Sequence, residues 1–259
     1  METKNIPTII LCGGVGSRMK EETEFKPKPM VLVGGKPIVW HIMKAYAHYG
    51  YNNFILALGY KGDMIKDYFL NQEAFLNDLT IDTSTNKIQF HDNKGDDFKI
   101  TFVNTGLDSL TGERILRVKK YVPQDEFMVT YGDGVSDINI DELVQFHRKQ
   151  GTIGTITGVH PHSKYGLVKI DMESKLVEKF DQKPIMYDYV NGGFMVLNRK
   201  AFDYFDESTM ENGLIKMAGE KQLSAYRYEG FWKPMDTYRE VEEMNKLWEE
   251  SRPWAVWEK

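Results

Sequence analysis

The sequence lacks the features that mark several large classes of protein. Cys12 is its one cysteine in 259 residues, which excludes an internal disulfide framework and a zinc site built on several cysteines. Its apolar runs, such as residues 9–12 and 54–58, are far too short to span a bilayer. Residues 1–7 are polar and charged, and no apolar h-region of a signal peptide follows them, so we expect no secretory signal and a soluble, cytoplasmic protein.

An excess of basic residues is also absent. Lysine and arginine number 33 against 38 aspartates and glutamates, which gives a net charge of −5. This balance gives no support to binding of nucleic acid or of an anionic membrane, and we predict neither partner. The chain is long enough to bury a core without cross-links. Because no repeat or linker is visible, we expect one domain over residues 1–259, in which residues 160–259 add antiparallel strands, a C-terminal helix and an aromatic tail.

Apolar and amphipathic segments alternate through the first part of the chain. Residues 6–12 and 54–58 are compact apolar strands, and residues 37–49 and 63–70 follow them with apolar side chains at helical spacing. This alternation predicts parallel strand pairing with right-handed crossovers. The predicted fold is therefore α/β, with a Rossmann-like, mixed and mostly parallel sheet flanked by helices and with a small C-terminal lobe.

The later part of the chain has a different pattern. Thr111 is placed to cap a helix that runs to residue 121. Residues 165–170 and 175–180 alternate in polarity and, with the apolar residues 190–197, predict antiparallel additions to the sheet. Residues 237–250 predict a last helix, and we expect the tryptophans in and after it to belong to the core or to a subunit interface.

Two segments near the N-terminus carry groups suited to binding phosphate. Residues 11–18 read L-C-G-G-V-G-S-R after the first strand, where glycines let backbone N–H groups approach and cradle phosphate oxygens. The loop departs from the G-x-G-x-x-G of dinucleotide sites and ends in Arg18, which suits bidentate phosphate contact. Lys28 follows between two prolines that stiffen its segment. A structural glycine turn and a solvated basic loop are the alternative interpretations.

Two aspartates are candidate metal ligands. Asp133 lies in the sequence Y-G-D-G directly after the strand predicted at residues 126–130, at the sheet edge where open α/β sheets bind ligands. A carboxylate there suits Mg²⁺, which takes one or two carboxylates together with phosphate oxygens. Asp236 lies in the segment G-F-W-K-P-M-D-T, where it is either the cap of the helix that starts at Thr237 or a second metal ligand.

These motifs together resemble the sugar nucleotidyltransferase superfamily, whose first loop reads G-G-x-G-[ST]-R and is followed by K-P-[KM]-P. Within it the chain is most similar to the glucose-1-phosphate cytidylyltransferases, with further matches at residues 34–43, 59–62, 104–106, 130–135, 191–194 and 230–237. The resemblance implies the nucleotidyltransferase fold, a homo-oligomer and a Mg²⁺ cofactor. It implies transfer of a cytidylyl group from CTP to a small phosphorylated acceptor, by default glucose 1-phosphate, in a pathway such as polysaccharide or capsule synthesis.

The resemblance also implies roles for individual residues. The implied nucleotide-binding residues are Leu11, Cys12, Gly13, Gly14, Val15, Gly16, Ser17, Arg18, Lys28, Ser109, Thr111, Arg114, Gly132 and Asp133. Among the implied catalytic residues, Arg18 binds the leaving pyrophosphate, Lys28 the α-phosphate and Lys183 the acceptor phosphate, and Asp133 completes the set. Asp133 and Asp236 are the implied Mg²⁺ ligands. The implied acceptor-binding residues are Tyr165, Gly166, Gln182, Lys183, Asn191 and Gly192.

Four departures from the family pattern bear on the acceptor. Gln182 stands where relatives have the glutamate of E-K-P, and Tyr189 where many have tryptophan. Residues 210–214 shorten an acidic segment, and Glu113 replaces a glycine near the nucleotide. Three of the four fall on the acceptor side, and loss of a carboxylate weakens recognition of sugar hydroxyls. The acceptor is therefore glucose 1-phosphate, another sugar 1-phosphate, or a non-sugar phosphate such as phosphoglutamine.

Two further alternatives concern the class of protein and the nucleotide. A non-catalytic nucleotide-binding regulatory subunit would be expected to lack residues such as Arg18, Lys28 or Asp133, and all three are present. A thymidylyl- or uridylyltransferase is the rival within the enzyme class. The cytidylyl assignment rests on the resemblance alone, because sequence does not fix the few contacts that select the base.

Overall fold

The computed structural model describes residues 4–16, 24–92 and 94–258. At its centre is a seven-stranded sheet made of β1 (Thr8–Cys12), β4 (Asn53–Leu58), β7 (Lys99–Asn104), β8 (Glu126–Tyr131), β10 (Gly154–Val159), β13 (Val190–Asn198) and β14 (Leu223–Tyr228). Its strand order is β14-β10-β13-β8-β1-β4-β7. Because only β13 runs against its neighbours, the carboxyl ends of the other six strands meet at one edge. The predicted mixed, mostly parallel sheet is confirmed.

Six α-helices flank the sheet in the part of the chain that the structure describes. They are α1 (Ile38–His48), α2 (Gly62–Leu76), α3 (Thr111–Val118), α4 (Ile140–Gln150), α5 (Met210–Gly219) and α6 (Tyr238–Glu250). Successive strand residues point to opposite faces, so the sheet supplies two cores. Ile10 and Met128 pack with α1, α4 and α6 on one face, and Ile9 and Val129 with α3 and α5 on the other. None of the described helices combines the length and the apolar character needed to cross a membrane.

Four short antiparallel pairs lie outside the main sheet. They are β2 (Leu32–Val33) with β3 (Lys36–Pro37), β5 (Leu79–Asp82) with β6 (Lys87–Phe90), β9 (Gly134–Ser136) with β15 (Trp232–Pro234), and β11 (Gly166–Ile170) with β12 (Val177–Gln182). The prediction that residues 165–180 extend the main sheet is wrong, because β11 and β12 pair only with each other among the described strands. The predicted antiparallel addition at residues 190–197 is confirmed by β13.

Both helix caps expected from the sequence differ in the structure. The hydroxyl of Thr111 accepts a hydrogen bond from the N–H of Met210 at 2.8 Å, so it caps α5 rather than its own helix, α3. Helix α6 begins with a capping box in which the Thr237 side chain and Glu240 satisfy each other's backbone N–H groups. The helix-cap interpretation of Asp236 is therefore wrong, because Thr237 fills that position.

The aromatic C-terminal segment belongs to the protein's own core. Trp254 is fully buried, and its indole N–H donates to Nδ1 of His41 at 3.2 Å. Nε2 of the same ring lies 2.8 Å from the carbonyl of Val33, which fixes a neutral imidazole with a proton on Nε2. Burial accordingly lowers the pKa of His41 to about 4. The sequence predicted either the core or a subunit interface for these tryptophans, and Trp254 lies in the core.

Candidate active site

A cleft opens at the carboxyl edge of the sheet, beside the loop that follows β1. It encloses about 380 Å³, within the range of small-molecule sites. We call the wall made by this loop and the start of α3 the nucleotide side. Eleven of the residues predicted to bind the nucleotide line the cleft: Leu11, Cys12, Gly13, Gly14, Gly16, Lys28, Ser109, Thr111, Arg114, Gly132 and Asp133. Val15 is half exposed and is not among the lining residues, while Ser17 and Arg18 lie outside the described residues.

Arg114 anchors the glycine loop through a hydrogen bond to its backbone. Its guanidinium is buried and donates hydrogen bonds to the carbonyls of Gly13 at 3.1 Å and Gly106 at 2.7 Å, and to the hydroxyl of Thr105 at 2.7 Å. A Cβ atom on Gly13 would lie 2.2 Å from the Arg114 guanidinium carbon, which explains the glycine there. Because backbone carbonyls occupy these donors, the structure gives Arg114 a positioning role under the loop, and its predicted contact with nucleotide stays a prediction.

Lys28 and the two predicted metal ligands meet at the floor of the cleft. The Nζ atom of Lys28 lies 2.6 Å from Oδ2 of Asp133 and 2.7 Å from Oδ1 of Asp236. Burial opposes the charge on Lys28, but the Asp133 and Asp236 carboxylates outweigh it and hold the pKa of Lys28 above its usual value. The structure therefore brings together three of the residues to which the sequence assigned phosphate and metal binding.

The short β9–β15 ladder explains how two aspartates so distant in sequence converge. Gly134 pairs with Pro234, and the N–H of Met235 donates to the carbonyl of Asp133 at 2.8 Å. The backbone N–H of Asp236 is held by Glu240 of the capping box at 2.6 Å. Both carboxylates thus extend from anchored backbone, and their side chains turn toward the same ammonium group.

The donor chemistry of this pair fits a magnesium ion. Mg²⁺ prefers oxygen ligands and is commonly held by one or two carboxylates plus water and substrate phosphate. Asp133 and Asp236 supply that number, and the described residues contain no cluster of three or more histidine, cysteine, aspartate or glutamate side chains that would form a complete protein cage. An ion bound here would take its remaining ligands from water and phosphate.

A second, smaller cavity of about 160 Å³ adjoins the carboxylate pair on the other side. We call this cavity, together with the β11–β12 hairpin, the acceptor side. Asn191 and Gly192 line the cavity as predicted, and the indole N–H of Trp232 donates to the Gly192 carbonyl at 2.8 Å. Tyr131 lines both cavities, as do Asp133 and Asp236.

The Tyr131 ring is held in place by a hydrogen bond at its hydroxyl and by close packing against Gly193. The hydroxyl of Tyr131 donates to Glu211 Oε1 at 2.6 Å. On the other side, Gly193 has a φ of +89°, and a Cβ atom there would lie 2.6 Å from the ring. Glycine at position 193 therefore serves both the backbone conformation and the close approach of Tyr131.

Four predicted acceptor residues lie apart from these cavities. Tyr165, Gly166, Gln182 and Lys183 belong to the β11–β12 hairpin or flank it, and none is among the residues that line either cavity. Tyr165 is 78% exposed, and Lys183 is also exposed, with a φ of +50°. Contact of these four with an acceptor stays a prediction.

Lys164 is a further charged group that sequence reasoning missed. Its Nζ atom lies 3.7 Å from Oδ2 of Asp236, on the side of that carboxylate away from Lys28. It follows β10 in a loop with no recognisable motif, so the sequence offered no signal for it. Tyr131 and Trp232 were also missed as site residues, although both stand within segments that the sequence singled out.

Cys12 is the one cysteine of the chain and lies in the wall of the cleft. Its side chain is buried, and burial, with the nearby Asp133 carboxylate, raises the pKa of the thiol far above its usual value. A thiol with this pKa is not a nucleophile at neutral pH. The structure therefore agrees with a packing role for Cys12.

Comparison with known proteins identifies the family. The model of the nucleotidyl transferase family matches residues 7–251. The chain belongs to that family. The predicted membership of the nucleotidyltransferase superfamily is thus confirmed, and the protein is an enzyme of that class.

Curated relatives match almost from end to end. A protein of Bacillus subtilis (strain 168) named probable glucose-1-phosphate cytidylyltransferase is 44% identical over 254 residues, which is 96% of this chain and 99% of the relative. The glucose-1-phosphate cytidylyltransferase of Salmonella typhi is 41% identical over 256 residues, with the same coverage. Among solved structures, UDP-glucose pyrophosphorylase from Acinetobacter baumanii superimposes with a TM-score of 0.70 over 100% of this chain and 97% of that one, at 17% identity. That last likeness supports the fold alone.

Proposed function

We propose that this nucleotidyltransferase is a CTP-dependent cytidylyltransferase that converts CTP and a phosphorylated acceptor to a CDP-linked product and pyrophosphate. The observation that carries the proposal is the position of the Lys28 ammonium between the Asp133 and Asp236 carboxylates, directly beside a glycine loop that presents its backbone to the cleft. Glucose 1-phosphate is the default acceptor, because the relatives at 44% and 41% identity carry that substrate in their names.

The reaction needs no protein nucleophile and no general base. A phosphate oxygen of the acceptor, already anionic at neutral pH, attacks the α-phosphorus of CTP in line, so that an O–P bond forms as the bond from the α-phosphorus to the bridging oxygen breaks. Pyrophosphate leaves with that electron pair. Catalysis of such a transfer consists of positioning and of electrostatic stabilisation of the phosphate oxygens.

Different residues of the chain would bind the different phosphate groups and the metal ion. Lys28, in the floor of the cleft, is suited to the α-phosphate. Asp133 and Asp236 would bind Mg²⁺, which supplies positive charge to the phosphate oxygens. Arg18 for the pyrophosphate and Lys183 for the acceptor phosphate complete the proposal on the strength of the resemblance. The backbone of the glycine loop, held by Arg114, would orient the nucleotide.

A different acceptor is the second candidate, and one residue favours it. Gln182 replaces a family glutamate at the end of β12 and is paired with Gly166 in the hairpin. An amide both donates and accepts hydrogen bonds, whereas a carboxylate only accepts them, so this exchange disfavours a ring that presents several hydroxyl donors. Another sugar 1-phosphate or a non-sugar such as phosphoglutamine is therefore the alternative acceptor on an unchanged nucleotide site.

The direct test is pyrophosphate release from CTP and Mg²⁺ with a panel of acceptors. The panel contains glucose 1-phosphate, other hexose 1-phosphates and phosphorylated non-sugars including phosphoglutamine, with UTP, dTTP, ATP and GTP run beside CTP. Rapid turnover of glucose 1-phosphate with CTP supports the default acceptor. Weak turnover of glucose 1-phosphate with rapid turnover of another acceptor supports the second candidate, and no release with any pair contradicts the proposed activity.

A homo-oligomer is also part of the proposal. The β11–β12 hairpin exposes a group of apolar side chains, including Val168, Ile170, Val177 and Phe180. Burial of such a face between copies of the chain would stabilise an assembly. Sedimentation of the purified protein at several concentrations tests this, and a monomer throughout would contradict it.

A further inference from the structure

The contact of Lys28 with the metal-binding pair has a consequence for how metal and nucleotide enter. The ammonium of Lys28 is largely buried and lies within hydrogen-bonding distance of one oxygen of each carboxylate. Its backbone is held in a short helical turn by hydrogen bonds from the N–H of Met30 to the carbonyl of Pro27, at 2.8 Å, and from the N–H of Val31 to that of Lys28, at 3.1 Å. The lysine therefore stands on a fixed base and bridges the pair through its long side chain.

The two carboxylates and the two lysine ammonium groups at this point carry charges that cancel one another. Asp133 and Asp236 contribute −2, Lys28 contributes +1, and Lys164 contributes +1 at 3.7 Å from Asp236. The sum of these four charges, −2 + 1 + 1, is zero. Lys28 occupies one oxygen of each carboxylate, Oδ2 of Asp133 and Oδ1 of Asp236. A divalent cation that bound these two oxygens would lie about 2 Å from them, and the ammonium within 2.7 Å of the same two oxygens would repel it. Metal binding through these oxygens thus requires Lys28 to leave them.

A departing ammonium in a largely buried site needs another anion, because an uncompensated buried charge is costly. The cleft offers that anion when a nucleotide is bound, since Lys28 lines the same cavity as the glycine loop. We propose that Lys28 keeps the Asp133–Asp236 pair closed to divalent metal until a nucleotide phosphate accepts its ammonium, so that metal and nucleotide bind interdependently. This inference rests on the proposed function, in which these aspartates bind the metal.

Thermodynamic linkage makes the coupling reciprocal. If nucleotide raises the affinity for metal, metal raises the affinity for nucleotide by the same factor, and couplings of this kind are typically about 5- to 150-fold. Lys28 is then a positioning residue for the metal as well as a phosphate contact. An ordinary salt bridge would stabilise the fold but would give no such coupling, and this difference makes the proposal testable without measuring turnover.

The experiment measures Mn²⁺ binding to the full chain by electron paramagnetic resonance, with and without α,β-methylene-CTP. Without nucleotide, we expect Lys28→Met to bind Mn²⁺ at least about tenfold more tightly than the wild type. Lys28→Arg retains the charge and is expected to bind weakly like the wild type. Lys164→Met removes a more distant and more exposed charge and is expected to give a smaller gain. Lys169→Met, on the outside of the hairpin, controls for net charge.

The possible outcomes distinguish the closure of the aspartate pair by Lys28 from the existence of the metal site itself. If Lys28→Met binds Mn²⁺ no more tightly than the wild type while Asp133→Asn and Asp236→Asn bind it more weakly, the closure by Lys28 is overturned and the metal site stands. If neither aspartate substitution alters Mn²⁺ binding, the metal site of the proposed function fails as well. Lys28→Gln provides a second neutral variant, and circular dichroism with thermal melting establishes that each variant is folded before titration.

Discussion

The two sides of the active-site cleft are built in different ways. On the nucleotide side, the lining residues include the ends of buried strands, the glycine loop and the start of α3, and Arg114, only 4% exposed, ties that loop to its neighbours. On the acceptor side, four of the six predicted contacts sit on or beside a two-stranded hairpin whose Phe180 is 62% exposed. Packing against the core therefore restricts which side chains the nucleotide side can accept. On the exposed hairpin, contact with a ligand would be the main restriction.

The contrast matches two of the four departures from the family pattern, whereas the segment at residues 210–214 contains the buried Met210 and Leu214. The glycine loop, Lys28 and Asp133 keep the pattern, and each is held by the core or by a buried hydrogen bond. Gln182 and Tyr189 depart from it, and both are exposed. Substitutions on the exposed hairpin leave the core undisturbed, so the acceptor contacts predicted there can change while the nucleotide side stays the same.

The sharpest test of the nucleotide side is Asp133→Asn. Loss of this proposed metal ligand is expected to lower kcat by roughly 10³-fold, or several kcal/mol, with the fold retained. The control is Asp137→Asn, since Asp137 accepts hydrogen bonds from Tyr228 and from the N–H of Phe231 at 2.8 Å. That control is expected to lose about 1–3 kcal/mol of stability with little change in kcat. Near-normal turnover of Asp133→Asn would contradict the assignment of Asp133 as a metal ligand.

The second test asks whether the rigidity of the nucleotide side matters for binding. Arg114→Met leaves the carbonyls of Gly13 and Gly106 without their donor, and we expect a loss of roughly 2–4 kcal/mol in the free energy of unfolding. The KM for CTP is expected to rise because the glycine loop loses its support. Arg117→Met, at a partly exposed position on the same helix, is expected to cost less than about 1 kcal/mol. Equal costs in urea denaturation would refute the positioning role of Arg114.

On the acceptor side, Gln182→Glu tests whether the hairpin faces the substrate. A restored carboxylate is expected to raise kcat/KM for glucose 1-phosphate relative to the best other acceptor by about tenfold, as a charged hydrogen bond gained is worth about 1.5 kcal/mol or more. Gln150→Glu, exposed at the end of α4, is the charge-matched control. An unchanged ratio of the two kcat/KM values would mean that residue 182 does not contact the acceptor.

The smallest effect is expected within the hairpin itself. Phe180→Ser removes an exposed ring and is expected to change the stability of a protomer by less than about 0.5 kcal/mol. Phe127→Ala, at a fully buried position of β8, is expected to cost roughly 3–5 kcal/mol. Urea denaturation at low protein concentration gives both values, and sedimentation shows whether Phe180→Ser weakens an assembly. If monomeric Phe180→Ser lost as much free energy of unfolding as Phe127→Ala, the hairpin would be as tightly packed as the core, and the difference between the two sides would be contradicted.

Sequence reasoning predicted the part of the fold that local pattern controls. Strands β1, β4 and β8 are continuous apolar runs between turn signals, and the structure has them within two residues of the expected bounds. Strand β14 was missed because its Leu223–Tyr228 segment alternates between partly buried and exposed residues and contains an arginine. The hairpin was assigned to the wrong sheet, because alternation in polarity indicates a strand but not its partner.

In the site, too, the sequence indicated the individual residues but not the contacts between distant segments. Lys28, Asp133 and Asp236 were identified as separate candidates, since each stands in a recognisable segment. Their meeting depends on the three-residue β9–β15 ladder, and a pairing between such distant segments leaves no local signal. The capping box at Thr237, by contrast, is legible as a threonine followed three residues later by Glu240, and it would have excluded the cap interpretation of Asp236.

The burial of Cys12 has a consequence for the conditions under which the enzyme works. The chain has no other cysteine, and this one is packed in the cleft wall with its thiol kept protonated. Peroxide and alkylating reagents act on exposed thiolates, and this chain presents none. Turnover is therefore expected to be unaffected by thiol-directed reagents, and adding or omitting a reducing agent is expected to leave it unchanged.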